Sequence, residues 1–262
     1  KQLQLTYGVS LVNNAYIALV DDTLNNNFPC ASGSVVTAAP DSAHSGSMQA
    51  GIANKIITFS SSGLSSFITF AVCYTDTGGD ATSAWTDSGV RLAVSQVRSI
   101  QYGTNSPSFP RRTMTSTNIM AATNRLPQVA NEAIVTYLGG LATDKWLSII
   151  DASLYANNPC VDGSVAAAAA DSQHTGPILA ASGTKVVTIP QSTLLDATKT
   201  FAVCFAAVSG AISDVSWRDS YIRVKISKIS TMTAHNVVHN TNGQIAREGT
   251  PTKYIMDAEI TS

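Results

Sequence analysis

Charged side chains are scarce in this chain. Asp, Glu, Lys and Arg make up 13% of its 262 residues, and 16 bases against 17 acids leave a net charge of −1. No broad field of either sign exists to attract nucleic acid or an acidic membrane, so no nucleic-acid partner is expected. Sparse Glu, Lys and Arg also argue against long solvent-facing helices, which lean on those residues. No apolar run approaches the roughly 20 residues needed to span a bilayer. There is no C-x-x-C spacing of a zinc site, no G-x-S-x-G elbow and no N-x-[ST] sequon, so any glycans would be O-linked. The sequence opens at Lys1, and secretion would require a leader that was removed or lies outside it. No cofactor or metal is expected, and an enzyme is not the expected reading.

What the chain does have is itself, twice. Residues from about 5 to 97 recur from about 135 to 229. Thr6-Tyr7 returns as Thr136-Tyr137, Asn27-Phe28-Pro29-Cys30 as Asn157-Asn158-Pro159-Cys160, and Gly33-Ser34-Val35 as Gly163-Ser164-Val165. Thr69-Phe70-Ala71-Val72-Cys73 matches Thr200-Phe201-Ala202-Val203-Cys204, and Trp85-Thr86-Asp87-Ser88 matches Trp217-Arg218-Asp219-Ser220. A period this long means two domains and not a short-repeat solenoid, whose units run to roughly 20–50 residues. The expected division is a first repeat over 1–97, a linker with a strand over 98–131, a second repeat over 132–229, and a tail with a strand over 230–262.

The cysteines follow the duplication. Cys30 and Cys73 in one copy match Cys160 and Cys204 in the other, which favours one disulfide per copy and an oxidising, extracellular setting. Each bridge would close a loop of roughly 40 residues, worth about 3–4 kcal/mol.

Period-two alternation marks the strands. Leu3, Leu5, Tyr7, Val9 and Leu11 read as one strand with one buried face. Others are Ile56-Ile57-Thr58-Phe59, Phe70-Ala71-Val72-Cys73-Tyr74 and the run from Gly89 through Val90 and Leu92 to Val94, each with a counterpart. The alanine-rich stretch 165–170 has helical propensity, but its counterpart is β-branched and ends in Pro40, so strand or loop is expected in both. Short strands punctuated by turns imply an all-β chain of two tandem antiparallel units, each a β-sandwich or a barrel, and one further spacing favours two tandem β-sandwiches.

Leu64 precedes Phe70 by six residues, and Leu195 precedes Phe201 by the same interval. This resembles the corner before the penultimate strand of immunoglobulin-like and fibronectin-type sandwiches, where a leucine packs under an aromatic. The resemblance implies that Cys30–Cys73 ties an early strand or loop to the penultimate strand. Trp85 and Trp217 follow the second cysteine of each pair, which departs from the immunoglobulin order of Cys, Trp, Cys.

Three polar constellations stand out. Asp41-Ser42-x-His44 and Asp171-Ser172-x-His174 suit a metal pair or a hydrolytic set, but better suit a turn closed by its own aspartate. His235 and His239 have zincin spacing, with Asn236 where the glutamate base belongs, and read as strand and loop. Trp85 and Trp217, each followed by an Asp and an Arg, either stack on glycans or cover the core edge. The acidic loop from Asp76 to Asp80 has no acidic counterpart, and Arg111-Arg112 reads as a solvated dibasic pair.

Function therefore follows from the ends. Lys1 to Val12 is apolar and alternating, and so is the tail through Tyr254, Met256, Ala258 and Ile260. A related Ile-Met-x-Ala signature appears in the linker at Ile119 and in the tail at Ile255. Such edges are sticky and can add to a neighbour's sheet. The chain resembles two-domain immunoglobulin-like protomers of extracellular filaments joined by donor-strand exchange. That resemblance implies a structural subunit assembled head to tail, with copies of itself as partners and Leu3, Leu5, Tyr7, Val9, Leu11, Tyr254, Met256, Ala258 and Ile260 as assembly positions. The alternative is a secreted carbohydrate-binding or adhesion protein using Trp85 and Trp217.

Overall fold

A computed structural model describes residues 2–8, 10–102, 112–116, 124–128, 133–190, 194–229, 231–234 and 237–240. The chain divides into two compact units, Lys1–Val94 and Ser95–Ser262. The break precedes the expected linker, so the linker's strands belong to the second unit. Strands dominate both units, and no helix exceeds four residues among those described.

In the first unit, β1 (Gln2–Thr6) pairs antiparallel with β4 (Ile56–Ser60), setting Leu3 opposite Phe59 and Leu5 opposite Ile57. A four-stranded sheet follows from β2 (Tyr16–Asp21), β3 (Met48–Gln49), β5 (Thr69–Thr75) and β6 (Thr86–Ala93), in the order β3-β2-β5-β6. β2 and β5 are apolar on both faces. Ile17, Leu19, Phe70 and Val72 join one core with Ile57 and Leu64, while Ala18, Val20, Ala71 and Cys73 join another with Cys30, Val36 and Trp85. A strand covered on both sides carries no polar alternation, which explains the unbroken run Tyr16-Ile17-Ala18-Leu19-Val20.

The second unit repeats these elements. β10 (Ala133–Gly139) pairs with β13 (Val186–Ile189) as β1 does with β4. β11 (Trp146–Asp151), β12 (Ile178–Leu179), β14 (Phe201–Ala206) and β15 (Arg218–Ile226) run in the order β12-β11-β14-β15. Three strands are added. β7 (Val97–Tyr102) pairs with the free edge of β10, β8 (Arg112–Thr115) pairs with β7, and β9 (Arg125–Leu126) runs parallel to β15. The core between the sheets holds Val97, from the end of the expected first repeat, and Ile100, Tyr102, Met114 and Leu126 from the expected linker, beside Tyr137, Leu147, Phe201 and Ile222. A hairpin of β16 (Thr231–Ala234) and β17 (Val237–Asn240) forms a sheet of its own.

Several expectations need correction. The strand expected through Leu11 ends at Thr6, after which the Tyr7 hydroxyl donates to the Val12 carbonyl at 2.8 Å and folds the segment back. Tyr137 does the same to Ala142 at 2.6 Å. The segments expected as strand or loop near Val35 and Val165 each begin with one helical turn, Gly33–Val36 and Gly163–Ala166. Asp162 caps the second by accepting the Ser164 N–H at 2.8 Å. The first turn has no side-chain cap, and β-branched Val36 is tolerated there because so short a helix depends on packing more than propensity, with Val36 fully buried in the core. Arg112 opens β8 and does not lie in a loop. Arg111, Val9, Ile119, His235 and the whole tail strand with Tyr254, Met256, Ala258 and Ile260 lie outside the described residues.

Both disulfides form, Cys30–Cys73 and Cys160–Cys204, closing separations of 43 and 44 residues. Each ties a segment ahead of the helical turn to the strand β5 or β14. The bridges place the chain in an oxidising compartment. Among the described residues no helix is long and apolar enough to cross a membrane.

Candidate functional site

Two of the three polar constellations have partners within the fold, and the third, at His235 and His239, lies partly outside the described residues. Asp41 Oδ1 accepts the N–H groups of Ala43 and His44 at 2.7 and 2.8 Å and touches His44 Nδ1 at 2.9 Å. Asp171 repeats this on Gln173 and His174 with 2.7, 2.8 and 2.8 Å. The Ala43 N–H and then the His44 ring hold the Asp41 carboxyl below its usual range. Burial pushes Asp171 up, but the Gln173 N–H and His174 outweigh it and leave its pKa lowered. Each pair closes a turn whose histidine bridges β2 or β11 through the backbone, at Val20 and Ile150. Among the described residues no group of three or more His, Cys, Asp or Glu could hold a metal ion.

Trp85 and Trp217 are buried, 9% and 1% exposed, in the clusters that contain the disulfides. Their indole N–H groups donate to Asp80 and Ala211 carbonyls at 2.9 and 3.0 Å. Neither ring offers a face to a sugar, which removes the observation that motivated glycan binding there. Each Asp–Arg pair lies within a single strand, β6 or β15. Arg91 makes two bonds to Asp87 at 2.9 and 2.8 Å, and Arg223 two to Asp219 at 2.9 and 2.7 Å. Residues four apart meet because β6 and β15 bulge there, with Gly89 and Tyr221 at φ +75° and +61°. The Arg91 bonds hold Asp87 below its usual range.

What distinguishes the units is an opening. In the first unit a cavity of about 600 Å³ lies between the two sheets, lined by Leu5, Tyr7, Ile17, Tyr74, Val90 and Leu92 among others. The matching side chains of the second unit are Val135, Tyr137, Leu147, Phe205, Ile222 and Val224, and all are buried in its core with the linker residues. Val90 is 50% exposed where Ile222 is fully covered. The second edge of β1 and the outer edge of β6 take no strand among the described residues, whereas β10 takes β7 and β15 takes β9.

The chain leaves both units by the same route. After β6, Ser95 Oγ donates to the Val97 carbonyl at 3.0 Å and accepts the Val97 N–H at 3.3 Å. After β15, Ser227 does the same to Ile229 at 3.0 and 3.2 Å. Both exits then enter a hairpin. Val97 is 1% exposed in its core, while Ile229 is 53% exposed. Gly139 makes the first docking close: at φ +133°, a Cβ there would stand 2.3 Å from the Gln96 carbonyl of the incoming linker.

Of the expected assembly positions, Leu5 and Tyr7 line the groove, and so does Leu11. Leu3 lies on β1. The N-terminal ribbon is thus a strand of its own unit, with one edge unpaired among the described residues. A strand was expected in the linker and another in the tail, but neither was placed nor expected as a hairpin; Val97-x-x-Ile100-x-Tyr102 and Ile229-x-x-Met232 held the signal. The chain matches no protein-family model, and no curated protein or solved structure proved similar to it.

Proposed function

We propose that this chain is the structural subunit of an extracellular filament, built from two tandem immunoglobulin-like sandwiches and joined head to tail by strand addition. The observation that carries this reading is the unequal completion of the two repeats. Val97 and the linker side chains Ile100, Tyr102, Met114 and Leu126 fill the second unit's core, while the first unit keeps an open groove at the matching place. At roughly 1.5–3 kcal/mol for each large apolar side chain buried, the linker contributes on the order of 10 kcal/mol to the second unit before ordering costs. A unit lacking that contribution has reason to recruit it. Two disulfides suit secretion, and a surface poor in charge puts little electrostatic repulsion between like subunits.

The Asp–His turns, the Asp–Arg bulges and the buried tryptophans are each absorbed by the fold, which favours a structural role over a catalytic one. The decisive experiment is negative-stain microscopy and light scattering of the undenatured protein beside a variant lacking residues 231–262. Filaments from the full chain and monomers from the truncated one are expected. Equal polymers from both would remove the basis for strand addition, and monomers from both would remove the filament.

A further inference from the structure

We propose that the β16–β17 hairpin of one copy seats in the first-unit groove of a second copy, with β16 antiparallel to β1 in the register that β7 holds on β10. This rests on the filament reading and gives it a donor, an acceptor and a polarity. The second unit pairs Val135 with Tyr102, Thr136 with Gln101, Tyr137 with Ile100 and Leu138 with Ser99. The duplication carries 135–138 onto Leu5, Thr6, Tyr7 and Gly8, and the spacing from Ser95 to Ser227, continued past the end of the repeat, carries 99–102 onto Thr231, Met232, Thr233 and Ala234. The contact between copies therefore sets Ala234 opposite Leu5, Thr233 opposite Thr6, Met232 opposite Tyr7 and Thr231 opposite Gly8.

Three features of the described residues support the transfer. The serine clasp that launches β7 is reproduced at Ser227, so both strands leave their clasp with the same spacing. The two hairpins begin at matched residues, with Ser99 paired to Thr115 and Thr231 paired to Asn240. The first apolar side chain after each clasp is buried in one case and half exposed in the other.

The groove also calls for a β-ribbon as its occupant. One wall is a strand edge whose outward N–H and C=O groups are satisfied by another strand along its length. The occupant cannot be the N-terminal ribbon, because β1 is the acceptor and already pairs with β4. With the donor in one unit and the acceptor in the other, the contact is heterologous and need not close, so copies add in one direction.

The test is a disulfide trap in the full-length chain carrying Thr6→Cys and Thr233→Cys. Directly opposed antiparallel residues have Cα atoms roughly 4.5–5.5 Å apart, within disulfide range. A ladder of covalent multimers on non-reducing gels, collapsing with reductant, is expected. The displaced pair Thr6→Cys with Thr231→Cys should cross-link at least tenfold less. Ile229→Lys, at an exposed position, should reduce polymer yield at least tenfold while the free chain melts as before. An internal cross-link at monomer size would overturn the proposal, because the hairpin would then close on its own first unit. Equal cross-linking by the displaced pair would overturn the register. Filaments that assemble without any Thr6–Thr233 cross-link would sink this contact yet leave the filament reading standing. Absence of filaments from the parent chain would sink that reading itself.

Discussion

Val90 and Ile222 occupy the same place in the two repeats, and one substitution in each separates folding from assembly. Ile222 is fully buried, so Ile222→Asp removes an apolar side chain from a filled core and strands a carboxylate there. The cost is on the order of 5 kcal/mol, comparable with the whole stability of a small domain. Val90 is 50% exposed, so Val90→Asp in the free chain loses about 1 kcal/mol or less of burial. Once a neighbour's ribbon covers the groove, that carboxylate would be desolvated without a partner. A penalty of about 4 kcal/mol weakens the joint about a thousandfold. Thermal unfolding by circular dichroism reads the first effect, and light scattering against concentration reads the second. The expected pattern is a folded Val90→Asp chain that fails to polymerise and an Ile222→Asp chain whose second unit is unfolded. The reasoning fails if Val90→Asp polymerises at the parent's concentration, or if it unfolds the first unit as Ile222→Asp unfolds the second.

Three further outcomes are expected. Reduction of the two disulfides, which close loops of 43 and 44 residues, should cost about 4 kcal/mol per unit. The measurement is the melting temperature with and without reductant. Ser148 is fully buried, and its hydroxyl has no hydrogen-bond partner among the described residues, where the first unit has Ala18. Ser148→Ala should therefore stabilise the second unit by about 1 kcal/mol, read as a higher midpoint in denaturant. Burial pushes Asp214 up, but the Ser216 hydroxyl and the N–H groups of Ser209, Ser216 and Gly210 prevail and hold it at about 2. A carboxylate depressed in the folded state stabilises above its unfolded pKa of roughly 4 and loses that contribution as pH falls towards 2. Asp214→Asn should flatten the acid side of the second unit's pH–stability profile between those values, and an unchanged slope would count against this assignment.

Much of the architecture was legible in the chain. The matched cysteines announced both bridges, and Leu64/Phe70 with Leu195/Phe201 marked residues that do share a core in each unit. Strands β4, β5, β13 and β14 followed from β-branched and aromatic runs between turns. β2 and β11 escaped notice because strands buried on both faces lack alternation, although the apolar run Tyr16-Ile17-Ala18-Leu19-Val20 was their signature. Trp85 and Trp217 could not be assigned from sequence, since an indole beside Asp and Arg suits a sugar platform as well as a buried plug. Packing against a disulfide and donation to a carbonyl decided it.

The sequence by itself determined that there are two like units, that each is bridged once and that strands prevail. Those properties reside in local pattern and in identity between the copies. Only the tertiary structure decided which unit owns the linker, because a strand's partner is chosen by the groove it fills and not by its own alternation. Val97 and Ile229 have nearly the same chemistry and the same serine clasp. One lies inside a core and the other is half exposed, and among the described strands β10 pairs with the one that Val97 opens.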